Sequence, residues 1–211
     1  MDTAGWNRRA LWLIATTMTY NVVEAGVALT AGILARSVAL VGFGLDSVIE
    51  LIAATAVLRR VALARRGDDP ERLEASEHRV HRIVGVTFVL LALYVTAQAG
   101  WQLWRAAEPH ESIAGIVLAC ASLLIMPGIA WGKLKAAAAL GSPALRAEAR
   151  ETLACSYLSF TLLVGLGLNA ALGWWWADPV AALCMVPWLV KEGAENIRGI
   201  GCCAEGDAHH A

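Results

Sequence analysis

The stretch SVALVGFGLDSVIE, residues 37–50, decides how the chain must be read. It opens a run without Lys or Arg that continues to Leu58, long enough to cross a bilayer as a helix. Two carboxylates, Asp46 and Glu50, lie inside that run. Their spacing puts both on one helix face, one turn above the other. An Asp at the centre of a spanning helix costs about 2.5–3.5 kcal/mol on insertion scales. Two carboxylates on one face require a compensating partner, and a bound cation is the natural one.

The same spacing returns in SPALRAEARETLAC, residues 142–155. With Ser37 aligned on Ser142, Ala39 and Leu40 fall on Ala144 and Leu145, Asp46 on Glu151, and Glu50 on Cys155. All four side chains are capable metal ligands: three hard carboxylates and one soft thiol. A repeat that keeps ligand-capable chemistry at both positions is a stronger signal than either pair alone.

These two segments resemble the second and fifth membrane helices of the cation diffusion facilitators. In that family each such segment typically ends with His or Asp, three residues, then Asp. Further matches are Asn21 in the first helix and WWWADPVAAL, residues 174–183, at the start of the sixth. The resemblance covers the chain up to about Arg198 and implies that Asp46, Glu50, Glu151 and Cys155 together bind a transported divalent metal. It also implies a homodimer. Two departures stand out. The usual His and second Asp are replaced, and only a short tail follows helix six, where the family has a cytosolic C-terminal domain. The expectation is a short, divergent member made of the membrane domain alone: residues 1–198 as the six-helix domain and 199–211 as a short cytosolic tail.

Composition points to a membrane protein independently. Hydrophobic residues make up 58% and charged residues 17% of the chain, against about a quarter charged in soluble proteins. A formal net charge of −1 gives no basic field for nucleic acid. Of the five cysteines, Cys120, Cys155 and Cys184 lie in apolar runs and Cys202 and Cys203 are adjacent near the end, which is no disulfide framework. The first apolar run is too long for a secretory signal and lacks a small-residue cleavage site. No HExxH motif and no convincing Ser/His pairing suggest an enzyme.

Taken in order, the pattern predicts an all-α membrane protein of six transmembrane helices: 11–35, 37–58, 83–104, 113–131 with Pro127 near its end, 152–172 and 178–198. The polar stretch 61–80 separates the second and third. All Lys and Arg residues except Arg36 and Arg105 fall on one side of these six spans, so both termini should be cytosolic, in the plasma (inner) membrane. Three helices per repeat is odd, so the two three-helix repeats are inverted and helices two and five run antiparallel. Glu151, directly after Arg150, falls at the cytosolic edge of its apolar run. Its helix is therefore expected to extend inward beside a water-filled vestibule, with Arg146 and Arg150 facing away.

Other residues carry weaker signals. Asn21 and Glu24 share a face of helix one and either line the pathway and orient a ligand or hydrogen-bond between helices. Asp178 before Pro179 reads as a helix N-cap with proline at the first helical position. His78 and His81 near Glu74 and Glu77 read as a solvated charged face. Cys202, Cys203, His209 and His210 are metal-capable but lack a zinc-finger spacing. Trp174, Trp175 and Trp176 read as an interfacial anchor. Together these give a transporter that exports a divalent metal, Zn²⁺ first with Cd²⁺ or Mn²⁺ open, in exchange for protons. No resident cofactor is expected; the metal is cargo. The alternative is a non-transporting membrane metal sensor or accessory subunit.

Overall fold

The computed structural model describes residues 3–64, 70–141 and 143–198. They form six helices, α1 (Thr3–Ala35), α2 (Val38–Ala64), α3 (Pro70–Arg105), α4 (Ile113–Leu140), α5 (Pro143–Leu172) and α6 (Ala177–Arg198), with no strand among the described residues. Five contain a stretch long and apolar enough to cross a membrane: Gly5–Ala35, Val38–Thr55, Arg82–Arg105, Ile113–Leu140 and Glu148–Leu172. The sixth expected span, α6, has the length but carries Asp178, Lys191, Glu192 and Glu195 within its 22 residues. Large apolar side chains such as Leu34, Trp104, Ile113 and Leu124 point outward, a surface that suits lipid and not water. The chain is a multi-pass, all-α integral membrane protein.

The helices are longer than the apolar runs that announced them. α2 continues past Arg59 and Arg60, α3 starts at Pro70, well before residue 83, and α4 carries Lys133 and Lys135 within its last turns. α5 begins at Pro143, two turns before Glu151, so the helix does extend beyond its apolar run. Helix propagation needs only backbone hydrogen bonds, so a helix runs on through charged residues until a terminator stops it. Gly141, at φ 58°, ends α4 with its N–H on the Ala137 carbonyl. Ser112 starts α4 by accepting from the Gly115 N–H.

Corresponding helix pairs of the two three-helix halves pack alike. α1 packs on α2 as α4 does on α5, and α2 packs on α3 as α5 does on α6. Each helix also touches its own counterpart: α1 with α4, α2 with α5, α3 with α6. Where α3 crosses α6, a Cβ on Gly85 would stand 2.8 Å from the Gly193 carbonyl oxygen, so only glycine permits this approach.

At the end opposite the basic residues, the short loops are tied together. The Gln102 amide donates to the Arg36 carbonyl at 3.1 Å and the His110 N–H donates to the Ala35 carbonyl at 2.8 Å. Trp174 and Trp176 stack with centroids 5.0 Å apart in the turn before α6, both partly exposed at this end. Asp178 departs from the expected role. α6 starts one residue earlier, at Ala177, and the buried Asp178 carboxylate caps a different helix. It accepts from the Ser37 hydroxyl and, at 2.9 Å, from the Val38 N–H, so it closes the N-terminus of α2.

Candidate metal pathway

The ligand candidates on α2 and α5 project into the bundle, and α1 supplies the partners that hold them. Asp46 is buried, and its carboxyl is within electrostatic reach of Glu24, Glu151 and Glu192. Glu50, half-buried one turn on, interacts with Asp46, Glu24, Glu151 and the Lys133 ammonium. Asn21 donates its Nδ2 hydrogen to Glu50 Oε2 at 2.9 Å, and its own Oδ1 is buried without a hydrogen-bond partner. Glu151, on α5, is half-buried; Arg150 beside it is exposed and Arg146 is half-buried.

Glu24 is the hub of this interior, with none of its surface exposed. Its Oε2 accepts from the Ser47 hydroxyl at 2.9 Å and lies 3.7 Å from the buried Cys155 thiol. Its Oε1 accepts from the Ser122 hydroxyl, whose oxygen is 2.7 Å from the Tyr20 hydroxyl. With its proton committed to Glu24, Ser122 accepts from Tyr20. One carboxyl thereby joins α1, α2, α4 and α5. Burying a carboxyl in a bilayer-embedded interior is tolerable only when its oxygens are satisfied in this way.

A second polar cluster lies between α4 and α5. Lys133 is fully buried, and its Nζ sits 3.1 Å from Glu148 Oε1 and 3.1 Å from Thr152 Oγ1. The other oxygen of Glu148 is buried without a partner. Lys133 is also within electrostatic reach of Glu151.

Asp46, Glu50, Glu151 and Cys155 thus belong to one connected polar interior. Among the described residues, however, no three His, Cys, Asp or Glu side chains converge tightly enough to hold a metal ion. Glu50 is engaged by Asn21 and Cys155 by Glu24. Sequence reasoning gave Glu24 a supporting role and overlooked Tyr20, Ser47, Ser122, Lys133, Glu148 and Glu192. Ser122 gives no sign of itself in the charge-free run 113–131, and Lys133 sits beyond that run, which seemed to end α4 at Trp131. Glu192 had a visible signal, a carboxylate inside the sixth helix. The side chains of His78 and His81, and the whole of Cys202, Cys203, His209 and His210, lie outside the described residues.

The fold and its buried carboxyl groups define a class, a polytopic helical membrane protein with an ionisable interior. Residues 14–199 match the cation efflux transmembrane domain, and the chain belongs to the cation efflux family, one of membrane transporters and not of enzymes. It is 28% identical over 174 residues to an uncharacterized transporter of Synechocystis sp., an alignment covering 78% of this chain and 56% of that protein. It is 26% identical over 185 residues to the uncharacterized transporter YdbO of Bacillus subtilis, covering 83% of this chain and 63% of that one. The chain spans less than two thirds of the length of each relative.

Proposed function

We propose that the chain transports a divalent metal cation, with Asp46, Glu50, Glu151 and Cys155 as the groups that bind the ion between α2 and α5. The observation that carries this reading is Asp46, buried in the bundle interior within electrostatic reach of three further carboxyls. Like charges gathered where water is scarce repel one another, and a dication relieves the repulsion. The pairs belong to opposite halves of an inverted repeat, so rocking one half against the other would change which side the ion faces. For all four groups to close on one ion, Cys155 must leave Glu24, whereas Glu50 can offer its other oxygen while Asn21 holds Oε2.

One thiolate among carboxylates suits Zn²⁺, with Cd²⁺ close behind; with Cys155 only packing, Mn²⁺ takes their place. Metal binding requires deprotonated ligands and reprotonation expels the ion, so we assign export from the cytosol by proton antiport. The one-sided distribution of basic residues supports cytosolic termini, we assign the chain to the plasma (inner) membrane, and the family resemblance supports a homodimer. The test is metal flux into proteoliposomes containing only this chain, across Zn²⁺, Cd²⁺ and Mn²⁺, with and without an imposed pH gradient. Saturable flux lost in Asp46→Ala supports transport. Metal binding without flux assigns the chain to a sensor or accessory subunit. Flux indifferent to the pH gradient, with the electrical potential clamped, removes the proton coupling.

A further inference from the structure

The start of α1 and the end of α4 meet where Leu13 packs on Gly132. Two carbons of Leu13 lie 3.2 and 3.3 Å from where a Cβ on that glycine would stand. Beside this contact opens a pocket of about 730 Å³. Its walls carry three tryptophans, Trp6, Trp12 and Trp131, and three cations, Arg8, Arg9 and Lys135, and no carboxylate. The Arg9 guanidinium lies 5.0 Å from the Trp6 ring centroid and Lys135 Nζ lies 3.4 Å from that of Trp131. Arg9 and Lys135 are thus steadied over ring faces, and the charge of the three cations is not cancelled by an ion pair among the described residues. Trp12 and Trp131 face outward, 70% and 62% exposed. The pocket stands at the boundary of two membrane spans, the depth at which tryptophan side chains favour the interface.

We propose that this pocket binds the phosphodiester headgroup of an anionic phospholipid from the surrounding bilayer. Guanidinium groups match phosphate oxygens in pairs, and a third cation adds charge without a competing acid nearby. Basic pockets between membrane helices take anionic headgroups by this chemistry. A choline headgroup is disfavoured, because the faces of Trp6 and Trp131 that would receive its cation are already occupied by Arg9 and Lys135. The exposed rings of Trp12 and Trp131 then flank the glycerol and upper acyl segments. A lipid held here bridges α1 to α4, the counterpart helices of the two repeats.

The experiment titrates the purified full chain in neutral detergent with phosphatidylglycerol or phosphatidylcholine and counts bound lipid by native mass spectrometry. Phosphatidylglycerol should bind preferentially. Each basic residue near a charged headgroup is worth about fivefold in binding, so Arg8→Gln/Arg9→Gln/Lys135→Gln should weaken phosphatidylglycerol by about a hundredfold. Phosphatidylcholine should be unaffected by that variant, and Arg198→Gln, elsewhere on the surface, should change neither lipid. The charge-keeping variant Arg8→Lys/Arg9→Lys/Lys135→Arg should retain the preference, and it decides the matter where the neutralised variant unfolds. Equal binding of the two lipids, or a preference that survives neutralisation, overturns the proposal. Displacement of phosphatidylglycerol by millimolar inorganic phosphate overturns it in favour of a free-phosphate site.

Discussion

Asn21 donates its side-chain amide to Glu50 across the α1–α2 contact, at 2.9 Å, and keeps its own carbonyl oxygen buried and unpaired. The amide thus fixes one ligand candidate and holds a free acceptor beside it. Groups that orient a metal ligand typically matter about 10–100-fold in metal affinity. Asn21→Leu should therefore weaken Zn²⁺ binding by about 10–100-fold while leaving the helical content intact. Calorimetric titration in detergent measures it, and an affinity within twofold of the parent protein would reduce Asn21 to helix packing.

The second prediction concerns Lys133 and Glu148, paired at 3.1 Å between α4 and α5. Removing one partner of a buried pair leaves an uncompensated charge and costs about 3–5 kcal/mol, whereas replacing both with apolar groups is often neutral. Lys133→Met should lower the unfolding midpoint in mixed micelles sharply, and Lys133→Met/Glu148→Leu should recover most of the loss. If the double variant is as unstable as the single one, the pair has a role beyond mutual neutralisation.

Asp178 leads to a third. Its carboxylate satisfies the Ser37 hydroxyl and the Val38 N–H at the start of α2. Loss of a helix cap costs about 0.5–2 kcal/mol, and these donors are buried away from water. Asp178→Ala should destabilise the protein by about that amount, and Asp178→Asn, which keeps one acceptor oxygen, by less. The comparison is made by denaturant unfolding of the three proteins in one micelle composition. Equal loss in both variants would mean that the negative charge, and not the cap, is what α2 needs.

How far the chain could be read depended on which physical signal each feature leaves. Asp46 and Glu50 were legible because carboxylates in an apolar run are costly, and the repeat then located Glu151 and Cys155. The six helices followed from hydropathy, and the repeat anticipated the contacts between counterpart helices. Helix ends did not, because α4 and α5 continue through charged residues where hydropathy falls but backbone hydrogen bonding does not. The hub at Glu24 was only half legible. Its place on α1 beside Asn21 was evident, but its partners Ser47, Ser122 and Cys155 come from three other helices, and their convergence is a property of packing. Asp178 was read as a cap of its own helix because local sequence cannot reveal a cap lent across the bundle.

Orientation provides a fourth prediction. Glu108 lies exposed in the loop between α3 and α4, and Ala138 lies exposed near the end of α4. With the basic residues in the cytosol, Glu108→Cys should react with a membrane-impermeant thiol reagent in intact cells and Ala138→Cys should react only after lysis. The reverse pattern would invert the topology, and with it the direction of export.

The last prediction concerns Cys155, the one soft group among three hard ones, which the bundle buries 3.7 Å from Glu24 Oε2. A thiolate bonds more covalently to Zn²⁺ or Cd²⁺ than to Mn²⁺. If Cys155 is a ligand, Cys155→Asp should weaken Cd²⁺ binding more than Mn²⁺ binding and shift their affinity ratio by about tenfold or more without abolishing transport. Cys155→Ala should lower affinity for both soft metals. Asp46→Ala or Glu50→Ala should be more severe, since each also removes negative charge that balances the dication. The measurement is affinity and uptake of Zn²⁺, Cd²⁺ and Mn²⁺ in one lipid preparation. If Cys155→Ala leaves all three metals unchanged while Asp46→Ala abolishes them, the thiol serves Glu24 as a neighbour and fills space. The ion would then be held by carboxyl groups, a donor set that favours Mn²⁺ over Cd²⁺.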